Sequence, residues 1–264
     1  MSSIRAVSPS VFAGSDAAGR VNAGFVRTAR GALVVDSLVT REDGRALAAA
    51  AEEAAGPVLA VVLTHEHLDH TVGTTDFPQC GVLASEGTAG AMAAEFARYA
   101  EELGRLGVAV REPTLVFEGR LRLRWDPEVV VEELGGHAAG STVVWVPSEG
   151  VLFTGDLVFR GRPPWVGSWD PDLWLASLRR LERLGPAVVV PGHGTVGGPE
   201  VLAEQREWLE TFVGRARELL AAGTDLAEAL TRLREEFGYA EPQTPWLRLG
   251  LLRLGFALEG GTET

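Results

Sequence analysis

The chain has 264 residues, with 36 acidic side chains against 24 basic ones and a formal charge of -12. All 24 basic residues are arginine, which excludes a lysine Schiff base, a phosphate-loop lysine and a lysine nucleophile. A pI near 4.9 argues against a nucleic-acid partner, and the one cysteine, Cys80, leaves no internal disulfide. No run has the length of a signal peptide or a membrane span, so the expectation is a cytoplasmic protein with no membrane partner.

Taken in chain order, residues 21–28 and 32–36 read as adjacent strands joined at Arg30-Gly31, and 41–55 as an alanine-rich helix that stops at Gly56-Pro57. Residues 58–63 form a wholly apolar strand. A strand, a helix and a buried strand in that order imply an α/β layered domain. A helix over 87–103 precedes strand-like runs at 115–117, 121–125, 129–133, 143–146 and 151–154, whose hairpin spacing predicts a largely antiparallel second half. Residues 170–184 return to helix, with Leu173, Trp174, Ser177, Leu178 and Leu181 on one face and Asp170 or Asp172 as cap. One more buried strand follows at 187–190. From Pro199 onward the strands stop and helical spacing takes over. The last helix, over 246–258, is apolar nearly all round, which predicts packing on its own chain, a lid or a partner surface.

The chain's five histidines are His65, His67, His70, His137 and His193. Three crowd into Thr64-His65-Glu66-His67-Leu68-Asp69-His70, just past an apolar strand, where a rigid strand end can mount imidazole and carboxylate ligands for a metal. Alternation places His65 and His67 on one side of an extended segment, while Asp69 and His70 come from the turn that follows. His137 in Gly135-Gly136-His137, Asp156 in Thr154-Gly155-Asp156 and His193 in Pro191-Gly192-His193-Gly194 lie at other apparent strand ends, each beside a glycine.

On these motifs, together with Gly73, Gly140-Ser141 and the runs beginning at Asn22 and ending at Asp36-Ser37, the sequence resembles the metallo-β-lactamase-fold hydrolases, specifically their glyoxalase II-like branch. The resemblance implies an α/β fold, a four-layer αββα sandwich, for a catalytic domain over residues 1–198, with a C-terminal helical extension over 199–264 packed on it. It also implies two divalent metal ions, zinc first, with iron or manganese as alternatives. His65, His67 and His137 would hold one ion, Asp69, His70 and His193 the other, and Asp156 would bridge them, with Asp36 and Ser141 supporting the ligands. A carboxylate at Asp156, in place of the cysteine of many lactamases, is what thioesterases and lactonases of the family show.

The reaction the resemblance implies is hydrolysis of a thioester or a lactone/ester bond in a small acyl substrate by hydroxide generated at the metals, with Asp69 orienting it. A β-lactam or phosphodiester hydrolase on the same site, and an interaction protein on a retained metal fold, are the alternatives. The segment after Asp156 combines aromatics and cations. Phe159, Arg160, Arg162, Trp165 and Trp169 are therefore the candidate substrate pocket, with apolar walls and a cationic rim. The absence of lysine counts against glutathione thioesters. The C-terminal helices are the expected surface for a homodimer.

Overall fold

The structure is a computed structural model that describes residues 4–105 and 107–257. Strands β1 (Arg5–Ala6), β2 (Val11–Ser15), β3 (Asn22–Thr28) and β4 (Gly31–Val35) open the chain. Helix α1 (Arg41–Ala55) then leads to β5 (Val58–Val62), the short helix α2 (Leu68–Thr71), β6 (Gly81–Ser85), α3 (Glu86–Arg105) and β7 (Leu115–Phe117). These seven strands form one sheet in sequence order, antiparallel through β4 and parallel from β4 to β7. Thr40 caps α1, its hydroxyl accepting from Asp43 N–H, and Gly56 ends it at φ 83°.

The second sheet contains β8 (Arg120–Leu123), β9 (Val129–Glu133), β10 (Thr142–Val146), β11 (Val151–Phe159) and β12 (Val188–His193), in the order β12-β11-β10-β9-β8. Its pairings are antiparallel except for β11 with β12, which α4 (Pro171–Leu184) joins as a parallel crossover. Helices α5 (Glu200–Ala221), α6 (Leu226–Phe237) and α7 (Thr244–Arg253) complete the described chain.

Strand alternation sorts the apolar side chains into three cores. Ala32 and Val34 of β4 pack toward Leu47, Ala51 and Met92 of the helices outside the first sheet, while Leu33 and Val35 face Val144, Val146 and Phe153 between the sheets. On the far side, Val130, Val143 and Trp145 join Trp174, Leu178 and Phe212 beneath α4 and α5. Three cores separate four layers, helix, sheet, sheet and helix. Residues of α5, α6 and α7 belong to this last core.

Several details differ from the sequence reading. Strands β6 and β7 pair in parallel within the first sheet, so 115–117 and 120–123 are not one hairpin; the chain crosses between sheets through Gly119 at φ 66°. Strand β11 does not stop at Thr154. It runs to Phe159, accommodating Gly155 at φ 49° by register shifts against β12, so Asp156 lies inside the strand and not at its end. Asp170 is the cap of α4, and Leu173 is 41% exposed, off the helix's buried face. The last helix ends at Arg253 and leaves Leu249 49% exposed, so it is covered on one side only; Leu258 lies outside the described residues.

Candidate metal centre

The site lies where the ends of both sheets meet. Strand β5 delivers Thr64 to His67 and then α2, whose first turn carries Asp69 and His70. The β9–β10 loop supplies His137, β11 supplies Asp156 and the end of β12 supplies His193. Thr142 N–H donates to Thr64 C=O at 2.8 Å, tying the second sheet to the ligand loop of the first. Two glycines permit the crowding. A Cβ on Gly155 would lie 2.5 Å from Thr64 Oγ1, and one on Gly192 would lie 2.0 Å from Asp156 Oδ1.

Seven side chains converge as two donor sets, His65, His67, His137 and Asp156 in one and Asp69, His70 and His193 in the other. In the first, His67 Nδ1 is 2.9 Å from His65 Nε2 and 3.2 Å from His137 Nε2, and Asp156 Oδ2 is 3.5 Å from each of those Nε2 atoms. In the second, His193 Nε2 lies 3.5 Å from Asp69 Oδ2, and His70 Nε2 lies 3.9 Å from it. Asp156 faces this set as well, Oδ1 at 3.2 Å from His70 Nε2 and Oδ2 at 3.2 Å from His193 Nε2.

These spacings fit a metal ion. Donor atoms about 2.0–2.1 Å from a tetrahedral centre stand about 3.3–3.4 Å apart. The tautomers fit too. Asp36 accepts from His70 Nδ1–H at 2.8 Å, which leaves His70 Nε2 a lone pair turned into the site. Thr64 donates its hydroxyl proton to Asp36 at 2.8 Å, so its oxygen accepts from His65 Nδ1–H at 3.0 Å. Arg20 C=O accepts from His193 Nδ1–H at 2.6 Å. Among the described residues, buried His70 Nε2 and Asp156 Oδ1 form no hydrogen bond, as donors reserved for a cation would be.

Charge is divided accordingly. Burial would raise the Asp156 carboxyl, but His193, His70 and His65 outweigh it and hold the group well below the usual carboxylate range. Without a metal, burial opposes a charged His70, yet Asp156, Asp36 and Asp69 lift its imidazole well above the ordinary value, and a bound cation would take the place of the second proton at Nε2. Burial, reinforced by His65, drives His67 down to about 3. Burial likewise takes His137 well below its ordinary value, so both are neutral donors at pH 7. Burial would raise Asp69, but His70 and His193 bring it below the usual value.

The supporting residues take distinct positions. Asp36 stands at φ 57°, and its Oδ1 also accepts from Thr64 N–H at 2.8 Å. Ser141 Oγ accepts from Ala138 N–H at 2.9 Å, and its carbonyl accepts from Leu134 and Gly135, closing the loop that presents His137.

A cleft of about 620 Å³ opens over the donors, lined by His67, Asp69, Asp156 and His193 with Phe159, Trp165, Arg162 and Trp246. Phe159 stacks on the His193 ring at 4.8 Å, and Trp165 meets His67 edge-on at 4.4 Å. Of the five residues expected in the substrate pocket, Phe159, Arg162 and Trp165 line this cleft. Arg160 does not; its guanidinium lies 3.5 Å from Glu204 and 3.8 Å from Glu200. Trp169 is buried, and its indole N–H donates to Gly250 C=O at 3.2 Å, so it joins the loop to α7. An aromatic and cationic loop carries no sequence signal for which side chains turn inward.

Asn22, read as part of a strand motif, and Trp246, read as part of the apolar last helix, were not expected at the site. Asn22 Nδ2 donates to Pro191 C=O and Gly194 C=O, each at 2.8 Å, bracketing His193. Its place in the strand motif was the available signal. Trp246 reaches the cleft from a helix remote in sequence, which no local pattern could reveal.

Comparison with known proteins agrees with this architecture. The metallo-beta-lactamase superfamily model matches residues 16–193. Metallo-beta-lactamase type 2 of Bacteroides fragilis is 31% identical over 84 residues, 30% of this chain and 34% of that one. Acyl-coenzyme A thioesterase MBLAC2 of Gallus gallus is 28% identical over 171 residues, 57% of this chain and 62% of that one. The chain thus spans between about a third and three-fifths of the length of these relatives. The structure of the inverting sec-alkylsulfatase Pisa1 from Pseudomonas sp. superposes with a TM-score of 0.75 at 20% identity, covering 96% of this chain and 50% of that one. That likeness is one of fold, and it extends into the C-terminal helices. With the ligand motifs, the four layers and the family model in agreement, the chain belongs to the metallo-beta-lactamase superfamily.

Proposed function

We propose that the protein is a hydrolase of the glyoxalase II-like branch that cleaves a thioester, or a lactone or ester, with two divalent ions, zinc first. The observation that carries this reading is the position of Asp156, whose carboxylate faces both donor sets, Oδ2 toward His65, His137 and His193 and Oδ1 toward His70. Cys80, the chain's single thiol, packs with the core outside the first sheet and donates to Phe77 C=O. The likeness to acyl-coenzyme A thioesterases supports the same chemistry.

Bound metal supplies a Lewis acid and a water acidic enough to attack at neutral pH. The protein supplies position. Asp36, Thr64 and the Arg20 carbonyl hold the Nε2 lone pairs of His70, His65 and His193 toward the centre. Asp69, a carboxylate at the cleft, orients the attacking water. Phe159, Trp165 and Trp246 pack against the acyl portion and exclude bulk water, while Arg162 at the rim meets an anionic group.

The test is a screen of thioesters, lactones, β-lactams and phosphodiesters on protein of measured metal content. Acyl cleavage that follows metal loading is expected, with thioester or lactone ahead of β-lactam. Phosphodiester cleavage without acyl cleavage would overturn the substrate assignment.

A further inference from the structure

Beside the metal cleft lies a second cavity of about 360 Å³ between the segment after β11 and helices α5 and α6. Its lining includes Arg160, Gln205, Trp208 and Phe237, and it shares Phe159 and Arg162 with the metal cleft. The two spaces are therefore neighbours across one partition.

Gln205 is the telling residue. It is only 3% exposed, and its Oε1 accepts the backbone N–H of Phe159 at 2.9 Å. That bond settles which way round the amide sits and leaves Nε2 with two protons to donate. Nε2 is buried and has no hydrogen-bond partner among the described residues. A buried donor left unmet is costly, so such groups are normally satisfied by something.

Charge narrows what that is. Arg160 is already met by Glu200 and Glu204. Arg162 is exposed and forms no ion pair among the described residues. The unanswered groups at this cavity are thus one amide donor and one guanidinium, which together suit an anionic acceptor. Trp208 and Phe237, packed edge-to-face at 5.6 Å, offer an apolar wall for the carbons that lead to it.

We infer that the second cavity is a tail subsite that takes a carboxylate at the end of the substrate remote from the scissile acyl bond. Phe159 couples the two halves, since its ring stacks on His193 while its backbone N–H is held by Gln205. The inference rests on the acyl-hydrolase reading for its substrate but on Gln205 and Arg162 for its location.

The experiment compares two thioesters of the same chain length, one with a terminal methyl and one with a terminal carboxylate, on metal-loaded wild type and Gln205→Glu. The variant keeps an oxygen for Phe159 N–H and replaces the donor with a second acceptor. Wild type is expected to favour the carboxylate substrate in kcat/KM, and Gln205→Glu to cut that preference about tenfold, the scale of one hydrogen bond to a charged group. Using the ratio cancels any general loss from misfolding. No preference in wild type, or a preference unchanged in the variant, overturns the subsite. The same pair made as uncleavable thioethers is titrated by calorimetry to separate the two readings. A Gln205-dependent difference in Kd without thioester turnover upholds the subsite and removes the acyl-hydrolase reading, whereas equal Kd values remove the subsite.

Discussion

Asp36 and His70 are joined by a 2.8 Å hydrogen bond between carboxylate Oδ2 and Nδ1, and the same oxygen receives the Thr64 hydroxyl whose oxygen accepts from His65. One carboxylate thereby sets the tautomer of a histidine in each donor set. Asp36→Asn keeps the left-handed backbone, which asparagine tolerates, but sets an amide N–H₂ against two donors. Metal affinity is expected to fall about 10–100-fold, read by competition with a chelator. Unchanged affinity would show that the histidines orient without it.

Asp156→Asn tests the bridge. Wild type is expected to bind two ions per chain, since seven donors are more than one tetrahedral site uses. The variant is expected to retain one at saturation. Elemental analysis decides, and an identical metal content in both proteins, with equal activity, removes the bridging role.

Metal-free protein should lose stability as pH falls below about 6.5. The sign follows from His67, whose pKa in the fold is about 3, because between those values the unfolded chain binds a proton that the folded chain refuses. His137, also depressed, acts in the same direction. His70 is raised and acts oppositely, its stabilisation being complete below its unfolded value and lost only as pH rises through its folded one. Melting temperature of chelated protein between pH 8 and 5 is the measurement. His67→Gln should flatten the decline.

Arg162→Ala should raise KM for an anionic substrate about fivefold or more with little change in kcat, because a contact made equally in ground and transition states is uniform binding. Arg160→Ala should change KM less, its charge being already answered by Glu200 and Glu204. Steady-state kinetics with one substrate separates them, and a loss confined to turnover would put Arg162 at the reacting centre.

Trp169→Ala should destabilise the fold by about 3–5 kcal/mol, the cost of removing a buried aromatic. Its ring packs against Trp174 and Phe212, and its indole holds α7. Trp165→Ala, at the cleft, should act on KM first. Urea denaturation beside kinetics distinguishes a core residue from a pocket wall.

Helix α1 was legible to the residue, because an alanine-rich interior and a closing Gly56-Pro57 are local signals. The histidine motifs were equally legible, since the donor types and their adjacent glycines are written in short segments. Other features depend on contacts distant in sequence. That β7 pairs with β6 and β8 with β9, in different sheets, rests on pairings between segments far apart or separated by the crossing, and that Asp156 sits inside a strand follows from β12 pairing beyond Gly155. Trp165 turns to the site and Trp169 to the core because α7 offers Gly250 C=O to one indole and leaves the other the cleft. The sequence by itself determined the donor chemistry and the layered class, because composition and short-range pattern suffice for both. Only the tertiary structure decided that Asp156 faces both sets, which arginine is already paired and that Gln205 Nε2 is left without a partner among the described residues, because those are outcomes of packing segments that the chain keeps far apart.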